Sequence, residues 1–405
     1  MPIHLLPWQI VRKAKAVIQS FFQHYCRRVT VTMKKYPFPV QSLFLSPLRA
    51  VELIYNVSLV LEYLGSRLQK RFSVIAAGVT VLLCLSAISL PAAPLTKQQT
   101  GSDNSHFTYA DLAMGTIVRL TLEHDNEQRA DTAAKQAFST IQILQQDFDH
   151  RYQQGSIGRV NEAAGHKPVI VSEEAGALIS RALNFCEQSR GVFDISIGAI
   201  TRVPEYFRQE PSSKQKELVD YRQIAFDSIS RQVYLPREGM ALDLGGLAKG
   251  TIIDAAVTVL RGQGIGSGIV EAGGDFFCFG EKTWHCGIQH PRKDELLGII
   301  EVRNKAVCGS GDYYQFIVTD AGSPRKHHII DINSGKSARK SIGVTTVAET
   351  TELADALATT LMIMGPDDGR DFLRQHYPDA AALWVLPDLR IVSTPNFPPL
   401  LPAKQ

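Results

Sequence analysis

The sequence predicts an α+β fold of about 300 residues behind an N-terminal apolar segment. Three observations carry this expectation. Strand-type and helix-type segments are both present but do not alternate strictly, which disfavours a doubly wound parallel sheet. One apolar stripe runs the length of a predicted helix over about 127–148. A long uncharged run, Phe72 to Thr96, stands between a basic leader and a mildly acidic body.

Taken in chain order, residues 1–71 hold 11 basic and two acidic side chains, leaving 32 basic against 38 acidic residues from position 72 onward. The overall balance of 43 to 40 gives no case for a nucleic-acid partner. The stretch FSVIAAGVTVLLCLSAISL is about as long as a bilayer-crossing helix needs to be, and Lys70 and Arg71 precede it directly. The positive-inside rule then places 1–71 in the cytoplasm and the body beyond the membrane, in a bacterium the periplasm. Residues 72–93 read as a signal anchor in the inner membrane, with a cleaved signal peptide as the alternative. Residues 94–106 are polar and turn-rich and read as a linker, 107–395 as the folded domain, and 396–405 as a tail.

Within the body, Val118, Leu120 and Leu122 alternate with Arg119 and Thr121 as in a half-buried strand. Ala130, Ala134, Ala137, Ile141, Leu144 and Phe148 follow at steps of three and four. SGIVEA, LGIIEV and AALWVL read as strands, and 172–188, 249–261, 351–363 and 367–376 as helices. Six scattered cysteines contain no C-x-x-C pair, so a zinc ribbon or a thioredoxin-like site has no basis. An oxidising compartment would permit one disulfide among the body's cysteines, with the pairing open.

Four glycine-rich clusters stand out: Met114-Gly115-Thr116, Asp243-Leu244-Gly245-Gly246-Leu247-Ala248-Lys249-Gly250, Glu271-Ala272-Gly273-Gly274-Asp275 and Gly309-Ser310-Gly311-Asp312. Each taken singly also reads as a tight turn. In the second, the glycines open onto a helix, where free N–H groups and Lys249 suit a pyrophosphate. In ADALATT, Asp355 and Thr359 fall one helical turn apart and present a carboxylate with a hydroxyl, a pair suited to Mg2+ when substrate phosphates complete the shell. Helix capping is the alternative role for Asp355. His327-His328-Ile329-Ile330-Asp331 offers an imidazole as general base, although solvated surface histidines are the commoner reading of such a pair.

The order of these pieces is more specific than any one of them. MGT, FD at 193–194, LDLGGLAKGTIID, VEAGGDFFCFG, WHCGIQHP, GSGDY, HHIID and ADALATTLMIMG together resemble the FAD:protein FMN transferases, the ApbE-like flavinyltransferases, over about 107–395. The resemblance implies a periplasmic or membrane-anchored α+β domain that uses FAD as substrate and Mg2+ as cofactor. Its products would be FMN phosphoester-linked to a Thr or Ser of a partner protein, and AMP. It implies Mg2+ held by Asp355, Thr359 and the Gly246 carbonyl, and FAD contacts from Met114, Tyr152, Val192, Phe193, Asp194, Asp243, Lys249 and Ile329. His328 falls at the family's base. The acceptor would be a subunit of a membrane redox complex; this chain has no D-G-x-T-G-A-T acceptor stretch of its own. Three departures stand: Gly309-Ser310-Gly311 replaces the usual Thr-Ser-Gly, Ile332 stands where HIID is usually followed by Pro, and the segment after FD lacks the usual proline and tryptophan. The same site suits two other readings, a Mg2+-dependent FAD pyrophosphatase and a non-catalytic flavin carrier.

Overall fold

A computed structural model describes residues 96–99, 105–203, 206–318 and 324–402. The apolar stretch 72–93 and the basic leader lie outside these residues, and among the described residues no helix is long and apolar enough to cross a membrane.

Among the described residues, nine strands form one antiparallel sheet: β1 (Thr96–Gln99), β2 (His106–Ala113), β3 (Thr116–Glu123), β4 (Ser267–Ala272), β5 (Asp275–Phe279), β6 (Lys305–Gly311), β7 (Gly343–Ala348), β8 (Ala381–Val385) and β9 (Ile391–Ser393). Their order across the sheet is their order along the chain. Antiparallel neighbours need only short turns. One two-residue turn joins β2 to β3 through Met114 and Gly115, whose φ angles of 52° and 70° are those of a type I′ hairpin turn.

The longer helices are α1 (Glu127–Phe148), α2 (Ser156–Glu162), α3 (Glu173–Gln188), α4 (Ala248–Gly262) and α5 (Thr351–His376). Helix α1 starts where Asn126 accepts a hydrogen bond from the Arg129 N–H at 3.0 Å, and its predicted apolar stripe is fully buried. That stripe meets Val118, Leu120 and Leu122, all with no solvent exposure, in a core shared with α4 and α5. Each such leucine or valine contributes about 1.5–3 kcal/mol by leaving water. The hairpin Trp284–Gln289/Leu296–Val302 contributes Cys286, Ile288, Ile300 and Val302 to a second core with Cys278, Val307, Val347 and Ala381. Strand β8 is buried along its whole length rather than alternating, as a strand covered on both faces must be.

The predicted helices 351–363 and 367–376 are one element broken at Gly365, whose φ of 75° and ψ of 179° are non-helical, with Pro366 next. Two boundaries differ from expectation. The polar 94–106 segment is not wholly linker, because Thr96–Gln99 pairs with Phe107–Ala110 and extends the sheet. The 396–405 segment is not wholly tail. Leu401 exchanges backbone hydrogen bonds with Ile299 at 2.8 and 2.9 Å, and Phe397 and Leu400 pack on the second core.

Gly250 sets the approach of α4 to α5. A Cβ there would lie 2.3 Å from the Thr351 carbonyl oxygen. Gly250→Ala should therefore lower stability by about 1–3 kcal/mol, read as a fall in Tm; an unchanged Tm would show that the two helices can part freely.

Candidate active site

The loop 242–247 is fixed before it reaches α4. Asn161 on α2 accepts from the Leu242 N–H at 2.6 Å and donates to its carbonyl at 2.9 Å, and the Asp243 N–H bonds to the Ile195 carbonyl at 2.8 Å. Asp243 is then held by the Thr201 hydroxyl and by the Gly245 N–H at 2.8 Å. The N–H groups of Gly245, Leu247, Ala248 and Gly250 are all bonded within the protein, so most of the amides that the glycines suggested for a ligand are already engaged.

Where the loop turns into the helix, a Cβ on Gly246 would lie 2.7 Å from the Phe193 ring and 3.6 Å from Thr359 Oγ1. Gly246 thus lies within reach of both Phe193 and Thr359, and a side chain there would run into the Phe193 ring. Thr359 sits one turn after Asp355 on α5. Asp355 does not cap its own helix; Thr350 does, accepting from the Leu353 N–H. Asp355 Oδ2 instead accepts from the Gly250 N–H at 3.0 Å, in the first turn of α4, while Oδ1 lies 3.5 Å from Lys249 Nζ. Lys249 also contacts Asp275. Half-buried Asp254 on α4 accepts from the Thr351 and Glu352 N–H groups at 2.8 and 2.9 Å, tying the second turn of α4 to the start of α5.

Among the described residues, no cluster of three or more His, Cys, Asp and Glu side chains could itself hold a metal ion. The donors at hand are one carboxylate, one hydroxyl and a backbone carbonyl, all hard oxygens. That set fits Mg2+, which keeps water and substrate phosphates in most of its shell.

The two histidines differ. His327 is buried and spent: its Nε2 lies 2.8 Å from the Ala338 carbonyl oxygen, and its Nδ1 accepts from the Ile329 N–H at 3.4 Å. His328 has a buried Nδ1 with no hydrogen-bond partner. Its backbone carbonyl accepts from the Tyr206 hydroxyl at 2.6 Å. Burial, and then the neighbouring His327, lower its pKa to about 4, and the charges of Lys249 and Asp243 reach it as well. An unfolded His takes up its proton near pH 6.5. Between pH 6.5 and 4 the unfolded state therefore binds more protons, and stability falls as pH falls, by up to about 3 kcal/mol. Tm measured from pH 7 to 4 should drop more steeply in the parent than in His328→Gln; equal slopes would contradict a neutral buried His328.

The other flavin-contact expectations divide. Met114 and Tyr152 meet through Gln145, whose Oε1 accepts from the Met114 N–H at 2.5 Å and whose Nε2 lies 3.4 Å from the Tyr152 hydroxyl. His150, two residues before Tyr152, lies 4.0 Å from Asp243 and links this group to the loop. Phe193 lines the Gly246 turn, whereas Asp194 faces inward: its oxygens accept from Ser196 N–H and Oγ and from the Tyr221 N–H. Burial raises the Asp194 pKa. Val192 bonds only to the Ser189 carbonyl through its backbone, and Ile329 is buried with its carbonyl on the Ala338 N–H. Gln145 and Tyr206 are not expected at the site from the sequence, and Asp275 is named there without a role of its own. Only Asp275 carried a signal, as the last residue of EAGGD.

Fold and site together define an α+β protein with one continuous antiparallel sheet and a site of oxygen donors and one lysine, suited to a phosphate-bearing ligand with a hard cation. Residues 114–384 match the ApbE family model, and the chain belongs to the ApbE family. It is 29% identical over 316 residues to the FAD:protein FMN transferase of Treponema pallidum, covering 70% of this chain and 86% of that one. It is 29% identical over 302 residues to one from Klebsiella pneumoniae, covering 72% and 92%. The crystal structure of the ApbE protein from Thermotoga maritima superposes with a TM-score of 0.66 at 30% identity, covering 72% of this chain and 98% of that one.

Proposed function

We propose that this chain transfers FMN from FAD to a hydroxyl, of Thr or Ser, on an acceptor protein. The observation that carries the reading is the meeting of Gly246, Thr359, Asp355 and Lys249 at the start of two helices, within electrostatic reach of a buried imidazole nitrogen that has no partner. Asp355, Thr359 and the Gly246 carbonyl would hold Mg2+. Bound there, Mg2+ supplies positive charge against the pyrophosphate and the departing AMP.

The chain's own residues do the rest. Lys249 places a cation beside the phosphates. Neutral His328 accepts the acceptor's hydroxyl proton at Nδ1 as the oxygen forms a bond to the FMN phosphorus. The bond from that phosphorus to the bridging oxygen breaks, and AMP leaves with the electron pair. Burial keeps His328 neutral and free to accept at neutral pH. Met114 and Tyr152, tied by Gln145, would border the flavin. Residues 72–93 would anchor the domain in the inner membrane with the site in the periplasm, near a membrane redox complex that carries the acceptor.

The test is to incubate the chain with FAD, Mg2+ and candidate acceptors and seek the mass of FMN on an acceptor threonine, lost when EDTA is added. Free FMN and AMP alone would mean hydrolysis. FAD bound without AMP release would mean a carrier.

A further inference from the structure

One cation stands between two buried carboxylates at this site. Lys249 Nζ contacts Asp275 and lies 3.5 Å from Asp355 Oδ1. Asp275 is 4% exposed, and its other oxygen accepts from the Gly309 N–H at 2.8 Å. The first residue of β5 is thereby pinned to β6, and the β4–β5 turn presents a fixed anion to the lysine. Asp355 likewise has one oxygen committed, to the Gly250 N–H, and one facing Lys249. An ammonium released from Asp275 would find Asp355 as its nearest remaining counter-charge and would settle on the oxygen that a divalent cation needs.

We propose that Asp275 is a positioning residue: it holds Lys249 off Asp355 and so keeps the Asp355 carboxylate available to a divalent cation. This rests on Asp355 being a metal ligand. It deepens that reading by giving a role to a residue outside the proposed ligand set. Toward the cation Asp275 acts only through the lysine, so its loss weakens metal binding only while the lysine is present.

Mn2+ is the probe, since sites built of carboxylate and other oxygen donors accept it, and its free concentration is read directly from its solution EPR signal. It is titrated into the full chain with FAD present and no acceptor. Asp275→Asn should weaken Mn2+ binding about tenfold or more, the usual scale for a residue that supports a metal ligand. Lys249→Met/Asp275→Asn should bind within about threefold of Lys249→Met alone, because the competing ammonium is gone in both. Unchanged binding in Asp275→Asn, or a double variant still about tenfold weaker than Lys249→Met, would overturn the proposal and make Asp275 either irrelevant or a direct support. If Asp275→Asn does not fold, Asp275→Ser takes its place in both the single and the double variant. Asp355→Asn separates the two levels. If it binds Mn2+ like the parent, the metal reading fails and this proposal with it; if it loses Mn2+ while Asp275→Asn does not, only the positioning role fails.

Discussion

Asp355→Asn is expected to cut FMN transfer by on the order of 10²- to 10³-fold, the consequence of losing several kcal/mol of charge stabilisation at the proposed metal site. The substitution suits the test because it separates two jobs. The asparagine carbonyl oxygen can still accept from the Gly250 N–H, now bonded at 3.0 Å, so the contact between α4 and α5 survives. What disappears is the negative charge. Tm should stay close to the parent while transfer, followed by flavin fluorescence on the acceptor, nearly stops. Undiminished transfer with intact Tm would remove Asp355 from the chemistry. A large drop in both would show that the carboxylate matters mainly for packing.

His328→Ala should slow transfer by about 10²- to 10⁴-fold, the range for losing a positioned general base, with FAD still bound. The structure narrows the expectation further. His327 cannot substitute, since its ring is engaged by the Ala338 carbonyl and the Ile329 N–H. The parent's rate should also lack the fall near pH 6.5 of an exposed histidine base, because the pKa of His328 lies at about 4 in the folded chain. Single-turnover rates for parent and variant from pH 5 to 8 check both points. A variant as fast as the parent would mean that another group takes the proton.

Much of the fold was legible because its periodicities are local. The α1 stripe and the 118–122 alternation report one buried face each, and the structure buries those faces. Strand β1 is not legible in the sequence because Thr96–Gln99 is polar and owes its existence to the edge it pairs with, a tertiary cause that no short window contains. The segment 396–405 hid its role for the same reason: Phe397 and Leu400 matter only once the 284–302 hairpin is there to receive them. At the site, glycines and charged residues could be found in sequence but their partners could not. Asp355 was recognisable as an acid one turn from Thr359, yet its bond to Gly250, 105 positions away, belongs to the packing of two helices. Which of two adjacent histidines keeps a free nitrogen is equally a matter of what the fold places against each ring.

Because strand order follows chain order, the sheet can be zipped up in the sequence in which the chain emerges, each new strand finding its neighbour already made. The longest of its excursions strains that rhythm most. Between β3 and β4 the chain leaves the sheet from 124 to 266 and makes α1, α2, α3 and α4 before returning to pair Val118–Glu123 with Ser267–Ala272. Closing so long a loop costs entropy before its contacts repay it. Until then the exposed edge of β3 is a sticky seam that a neighbouring unfinished copy could join.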